Sequence, residues 1–431
     1  MNAARMIGPL ALWVSLFHTD LQADNWPAWR GPLGTGISAE KNFPTKWAVD
    51  QNTKWRVSLP ERGNSSPVVW GNQVFITQAI EEQGLRQLIC FDRRTGRQLW
   101  KSEVEYSVKE PTHRTNPFCS ASPVTDGKHV IVSHASAGLF CYDMKGKQLW
   151  SRDLGVQHHV WGNAASPVIY GDLCIFNFGP GERTYLIAVS LKDGSTVWQH
   201  DEPGGSSGIP KEGAARGKWV GSWTTPVFIE AKTGPQLLMT FPNRVVAFDP
   251  AKGHELWDCK GLNPLVYTSP IYGDGIVVAM GGFRGTAMGV RVGGKGDVTK
   301  THQLWTRPRE KQRIGSGVMV NGHVYILNED GVTQCIEARK GKVVWEERLR
   351  GPGGNGKSWS SMVAVGDKLY AINHYGLQSF HGRHHGPLPI LNDFTVTEVF
   401  VDHPFSRPVK GISKKSTRML WQSPDTEFHT A

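Results

Sequence analysis

The chain has 431 residues, a formal charge of +10 and only 20% charged residues, a mix that excludes a disordered chain and allows a large core. Its Lys and Arg are scattered through turns such as Arg93-Arg94-Thr95-Gly96-Arg97 and Lys145-Gly146-Lys147, which shows no nucleic-acid-binding module. Six cysteines sit far apart with no CxxC or CxxCH, which speaks against haem attachment and cysteine-metal sites, while 49 Gly and 26 Pro point to a turn-rich β protein.

The first element is Met1–Ala23: an Arg5-bearing start, the apolar run Met6–Phe17 and a small residue at Ala23. This reads as a cleaved secretory signal peptide, and the run is too short to span a bilayer. The expected location is the periplasm or cell envelope. Residues 24–50 form an N-terminal extension, and residues 51–380 carry a repeat. Thr53-Lys54-Trp55-Arg56-Val57 looks like the fourth strand of a unit whose first three strands come from the far end of the chain.

The repeat opens at Ser66-Pro67-Val68, passes Leu88-Ile-Cys-Phe-Asp92 and closes at Gly96-Arg-Gln-Leu-Trp100. Later copies open at Ser122-Pro123, Ser166-Pro167, Thr225-Pro226, Ser269-Pro270, Gly317-Val318 and Ser361-Met362. Trp55, Trp100, Trp150, Trp198, Trp257, Trp305 and Trp345 recur 45, 50, 48, 59, 48 and 40 residues apart, a period that suits a four-stranded propeller blade. Each copy carries hairpin chemistry, such as Asn321-Gly322 between Val318–Val320 and His323–Leu327. Alternation along the strands predicts one buried face each. The tryptophans are expected to lie against the neighbouring blade, and Cys90, Cys141, Ala188, Ala247 and Cys335 to fill one tight core position. The fold expected is all-β, a propeller of four-stranded blades, eight by count of openings and tail length and seven as the alternative, with the last blades incomplete.

After Asn373 the pattern stops. The stretch His374–His385 holds four of the 16 histidines, residues 381–431 form an atypical tail, and the chain from about residue 374 reads as a fortuitous or frame-shifted sequence.

The blade pattern S-P-V…G…V-[FY]…L-x-[AC]-[FY]-D…G…W resembles the PQQ-like (quinoprotein-type) repeat. Asn25-Trp-Pro-Ala-Trp-Arg-Gly-Pro32 with Gly34-Thr-Gly36 resembles the start of BamB-like exported propellers of planctomycete-type bacteria. The resemblance implies an eight-bladed propeller, like those of quinoprotein alcohol dehydrogenases and of BamB. Quinoprotein dehydrogenases carry a vicinal disulfide over the quinone and a calcium held by carboxylates and amides. No Cys-Cys pair or acidic cluster matches those elements here, so no cofactor is expected, neither PQQ nor calcium, and no metal site.

Propellers bind at the face where loops enter the inner strands. Those loops hold the candidate ligand or interface residues His113, Arg114, Asn116, His158, His159, Trp161, Asn163, Trp219, Ser222, Trp223, Tyr267, Arg313 and Trp359. Two readings stay open: they line a basic, aromatic funnel, or they hydrogen-bond one another to tie the loops down. No catalytic residues are assigned. The function expected is an exported, non-catalytic scaffold binding envelope proteins or peptides. The alternatives are a PQQ-dependent dehydrogenase, with Arg313 and Trp223 around the cofactor, and a carbohydrate-binding propeller whose partner is a glycan or extracellular small molecule. Nucleic-acid partners and membrane spans are not expected.

Overall fold

A computed structural model describes residues 25–40, 43–44, 51–208, 219–283, 285–311, 313–348, 350–351, 354–355, 358–373 and 376–377. The proposed signal peptide, the tail 381–431 and all of the His374–His385 tract except Gly376-Leu377 lie outside these residues.

Six complete antiparallel sheets follow one another along the chain, each in simple meander order. Blade 1 consists of Val68–Trp70, Gln73–Ile80, Leu85–Asp92 and Gln98–Glu105. Blades 2 to 6 span residues 124–152, 168–202, 227–260, 271–307 and 318–348. Val363–Val365 and Lys368–Tyr370 are the inner strands of blade 7. The molecule is a β-propeller, and the choice between eight blades and seven falls on residues outside those described.

The expected alternation is seen in some strands and absent from the middle ones. Gln98–Glu105 alternates, but Gln73–Ile80 and Leu85–Asp92 are buried along nearly their whole length. Neighbouring blades cover both faces of the middle strands, which accounts for their almost continuous apolar sequences.

One interlock recurs. In blades 1 to 6 the closing tryptophan pairs across the ladder with the small third-strand residue: Trp100 with Cys90, Trp150 with Cys141, Trp198 with Ala188, Trp257 with Ala247, Trp305 with Gly289 and Trp345 with Cys335. A bulge follows at the same step each time. The residue opposite an indole must be small; a Cβ on Gly289 would lie 2.3 Å from Trp305 Nε1. The indole also reaches the next blade's glycine turn. A Cβ on Gly146 would lie 2.7 Å from Trp100, and on Gly253 2.5 Å from Trp198. The indole N–H then donates to a backbone carbonyl of that turn: Trp100 to Met144 O at 3.1 Å, Trp150 to Leu191 O at 2.8 Å and Trp305 to Ala338 O at 2.7 Å. Trp55 is joined to blade 1 in the same way, over Gly96 and onto Arg93 O at 2.8 Å. It therefore stands where the closing tryptophan of the blade preceding blade 1 belongs.

Trp257 departs from this. Blade 5 replaces the glycine turn with an insertion, whose strand Gly296–Asp297 pairs in parallel with the outer strand of blade 4 and whose one helical turn is Thr299–His302. With no glycine turn to reach, the indole bonds Gln236 Oε1 in its own blade at 3.0 Å. The six cysteines are buried free thiols. Burial pushes Cys90, Cys141 and Cys335 up to about 12, so they are inert packing groups.

Candidate functional site

At the hub the inner strands splay apart, and the first amide of each lacks a ladder partner. A Ser or Thr at the head of the next inner strand supplies one. Ser66 N–H donates to Ser122 Oγ at 2.8 Å, Ser122 to Ser166 at 3.0 Å, Ser166 to Thr225 at 3.0 Å, Thr225 to Ser269 at 2.9 Å, Ser269 to Ser316 at 3.0 Å and Ser316 to Ser361 at 3.0 Å. The repeat opening is thus a hydroxyl collar around the axis, and proline, with no N–H to satisfy, follows in five of the seven blades. Inside the collar runs the N-terminal extension. Ile37–Ser38 pairs with Ala364–Val365, and Trp26 bridges Val69.

The loops of the axial face are laced blade to blade. Arg62 donates to Arg114 O (2.6 Å) and Asn64 to Thr115 O (2.9 Å). Asn116 Nδ2 donates to Trp161 O (2.7 Å), and Trp223 Nε1 to Gly162 O (2.8 Å). Gly221–Ser222 pairs in parallel with Leu265–Val266, and the fully buried Ser222 hydroxyl donates to Thr240 O at 2.8 Å. Asn163 Nδ2 reaches back to Gln157 O at 2.8 Å within its own loop. Ser222, Asn116, Asn163 and Trp223 thus have bonds that tie the loops.

Arg313 is a buried ion-pair residue. Only 1% of its side chain is exposed, its Nη2 lies 2.8 Å from Glu310 Oε2, and it also donates to Gln334. Trp359 is half-buried, and its neighbour Ser358 donates its N–H to Glu329 O at 3.2 Å.

The three histidines of the face do not converge. His113 Nδ1 contacts Thr115 Oγ1 at 2.6 Å, and His158 Nε2 lies 3.0 Å from Glu110. His159 is fully buried, and its Nδ1 accepts the Trp161 N–H at 3.1 Å. A different histidine meets carboxylates on the outer strands of blades 3 and 4. His200 lies 3.0 Å from Glu202 and 3.2 Å from Glu255, with Arg244 2.8 Å from Glu255 and also paired with Glu202. Sequence reasoning missed this group; His200 and Glu202 two apart on one strand face were the available signal. Arg244 already supplies the positive charge there.

Burial pushes His159 down to about 4, and burial with the Arg86 charge pushes His134 down to about 3. Burial thus favours the neutral ring in the folded protein above those values, whereas the unfolded chain protonates both below about 6.5. Their contribution is complete above that value and is lost as pH falls toward about 4 and 3. The urea midpoint is therefore expected to fall between pH 7 and pH 4.5, and His159→Gln to flatten that slope. An unchanged slope contradicts the assignment.

What stays open at this face is aromatic. Trp161 meets Trp219 edge-on at 4.4 Å and lies 6.1 Å from Tyr267, with Trp223 beneath at 5.8 Å. Trp161, Trp219 and Tyr267 are half-buried, whereas Trp223 is buried and so becomes a support rather than a contact. Tyr267 packs against Gly282, and next to it Phe283 is 55% exposed. Val156, in the loop that carries Trp161, is 56% exposed. Arg114 adds an exposed cation.

A calcium-held quinone needs about six to eight oxygen ligands, carboxylates among them. Glu110 is engaged by His158 and by the Tyr106 hydroxyl at 3.1 Å, and Glu310 by Arg307 at 2.5 Å and by Arg313. No two cysteines are adjacent. Glu110 and Glu310 are thus already engaged by other side chains of the protein.

The fold and its hub define a propeller of PQQ-like repeats. A family model described as outer membrane protein assembly factor BamB matches residues 47–211 and 242–380, and the chain belongs to that family. It is 23% identical to outer membrane protein assembly factor BamB of Burkholderia pseudomallei (strain K96243) over 342 residues, 67% of this chain and 80% of that protein. Among solved structures, BamB from Moraxella catarrhalis superposes with a TM-score of 0.53 at 16% identity, covering 72% of this chain and 81% of that one. A quinohemoprotein alcohol dehydrogenase from Pseudomonas putida HK5 aligns at TM-score 0.45 and 14% identity, over 91% and 84%. Among the described residues no helix is long and apolar enough to cross a membrane.

Proposed function

We propose that this chain is an exported, non-catalytic propeller of the cell envelope that holds a protein partner at its axial face, in the service of outer-membrane protein assembly. One observation carries the reading: with the hub filled by the chain's own N-terminal extension, the loops of blades 3 to 5 still present Trp161, Trp219, Tyr267 and the exposed Phe283 together. Half-buried aromatics on a rigid base are the usual anchors of protein interfaces. Family membership supports the kind of partner.

The test is in-cell crosslinking followed by capture. The wild type is expected to retain a reproducible envelope protein, and Trp219→Ala with Phe283→Ala to weaken retention by about tenfold or more, the loss of one or two anchor residues. No reproducible partner, or retention unchanged in the double variant, overturns the proposal.

The glycan reading rests on the same indoles, and binding on a glycan array that Trp161→Ala abolishes would favour it. Since Glu110 and Glu310 are already paired within the protein, PQQ and calcium added to the purified protein are expected to give no bound-quinone absorbance.

A further inference from the structure

The run Asn25–Ser38 contains a guanidinium in an unusual setting. Arg30 is 5% exposed, and each of its five N–H donors meets a backbone carbonyl. Nε donates to Gly34 O (3.3 Å), Nη1 to Ser316 O (2.9 Å) and Met362 O (3.3 Å), and Nη2 to Thr35 O (2.7 Å) and Gly317 O (2.5 Å). Two of these carbonyls belong to its own segment, two to blade 6 and one to blade 7. Among the described residues no carboxylate pairs with it. The cage therefore selects the planar five-donor fork rather than charge alone, a fit that a three-donor ammonium cannot reproduce.

The other end of the run is fastened to blades 1 and 2. Trp26 and Val69 exchange both backbone bonds (2.8 and 2.9 Å), Thr125 N–H donates to Pro27 O (2.8 Å), and Asn25 Oδ1 accepts the Gly71 N–H (2.7 Å). Beyond Arg30, Ala364 N–H donates to Gly36 O at 2.8 Å. The backbone is shaped for this path. Gly36 has φ +76, and a Cβ there would lie 2.6 Å from Arg30 Nη2 and 2.8 Å from Met362 O. Gly31 has φ +82, and a Cβ there would strike the Trp26 ring at 2.7 Å. Arg30 itself sits at φ +67, a strained value for a non-glycine that its bonds hold in place.

Blades 1 and 2 lie near the chain's start and blades 6 and 7 near its end, so the chain itself does not connect the two groups directly. We propose that Asn25–Ser38 is an axial clasp which joins blades 1 and 2 to blades 6 and 7 across the hub, with Arg30 as its bolt, and that the ring is held shut from the inside as well as by Trp55 at the rim. A clasp behaves as one unit: drawing the bolt at blades 6 and 7 releases the far end at blades 1 and 2.

The experiment is residue-resolved hydrogen exchange on the full chain. Arg30→Ala is expected to raise exchange at Ala364, Val69 and Thr125 together, by about tenfold or more, and to lower Tm by on the order of 5 °C. Low-millimolar methylguanidinium, which refills the cage, should restore protection at all three amides, and methylammonium should not. Should Arg30→Ala fail to accumulate in folded form, Arg30→Lys serves, and accelerated exchange at all three amides is again expected. The clasp is overturned if Val69 and Thr125 keep wild-type protection in either variant, since Arg30 is then only a local contact of blades 6 and 7.

Discussion

Trp198→Ala is expected to destabilise the propeller by about 3–5 kcal/mol, the range for deleting a large buried aromatic. The indole is 8% exposed, donates to Pro250 O at 3.1 Å in the next blade and covers Gly253. Its loss empties a space bounded by two sheets that cannot close without shifting both. Gly253→Ala attacks the same contact from the other side, placing a methyl 2.5 Å from the ring at a position with φ +71. The double variant is expected to cost less than the sum of the two single changes, because the new methyl then points into the vacated space. Denaturant midpoints of the four proteins in the cycle measure this. A Trp198→Ala cost below about 1 kcal/mol would show that the indole is not a lock between blades.

The second large effect is expected at Glu310. Its carboxylate is the partner of Arg313, whose side chain is 1% exposed, and also meets Arg307 at 2.5 Å. Glu310→Gln leaves the buried guanidinium without its counter-charge, which costs about 3–5 kcal/mol. Replacing both, as Glu310→Gln with Arg313→Met, should recover a large part of that loss, since no charge is then left buried. Urea unfolding of both variants decides the matter, and a double variant less stable than Glu310→Gln alone would contradict the account. A result in line with it would also set Arg313 aside from any ligand role.

The repeat was legible because each blade solves the same packing problem with the same residues. The Asp–Gly turn, the tryptophan that follows and the small residue opposite are local in sequence, and their spacing reports one sheet. The reasons for two of these choices were not legible. Cys90 and Gly289 are small because an indole of their own blade lies across the ladder, and Ser66, Ser122 and their equivalents are hydroxyl-bearing because each serves the preceding blade. Sequence periodicity reveals that a position recurs but not which neighbour it faces.

The axial face was legible as a set of loops but not as a site. Asn116, Ser222, Trp223 and Arg313 read the same on paper as Trp161, Trp219 and Tyr267; the fold spends the first four on loop ties and burial and leaves the other three half-open. Phe283 was absent from the candidates because it lies in a turn between the second and third strands of its blade, outside the loops that precede the inner strands.

The amino-acid sequence by itself determined the architecture: strand lengths, turns and the inter-blade lock are each encoded within about fifty residues, so repetition makes them visible. Tertiary structure alone decided what fills the axis. Arg30 is separated by 286 to 332 residues from the carbonyls of Ser316, Gly317 and Met362, and backbone carbonyls carry no side-chain signature, so nothing in the order of residues could announce that they converge on one guanidinium.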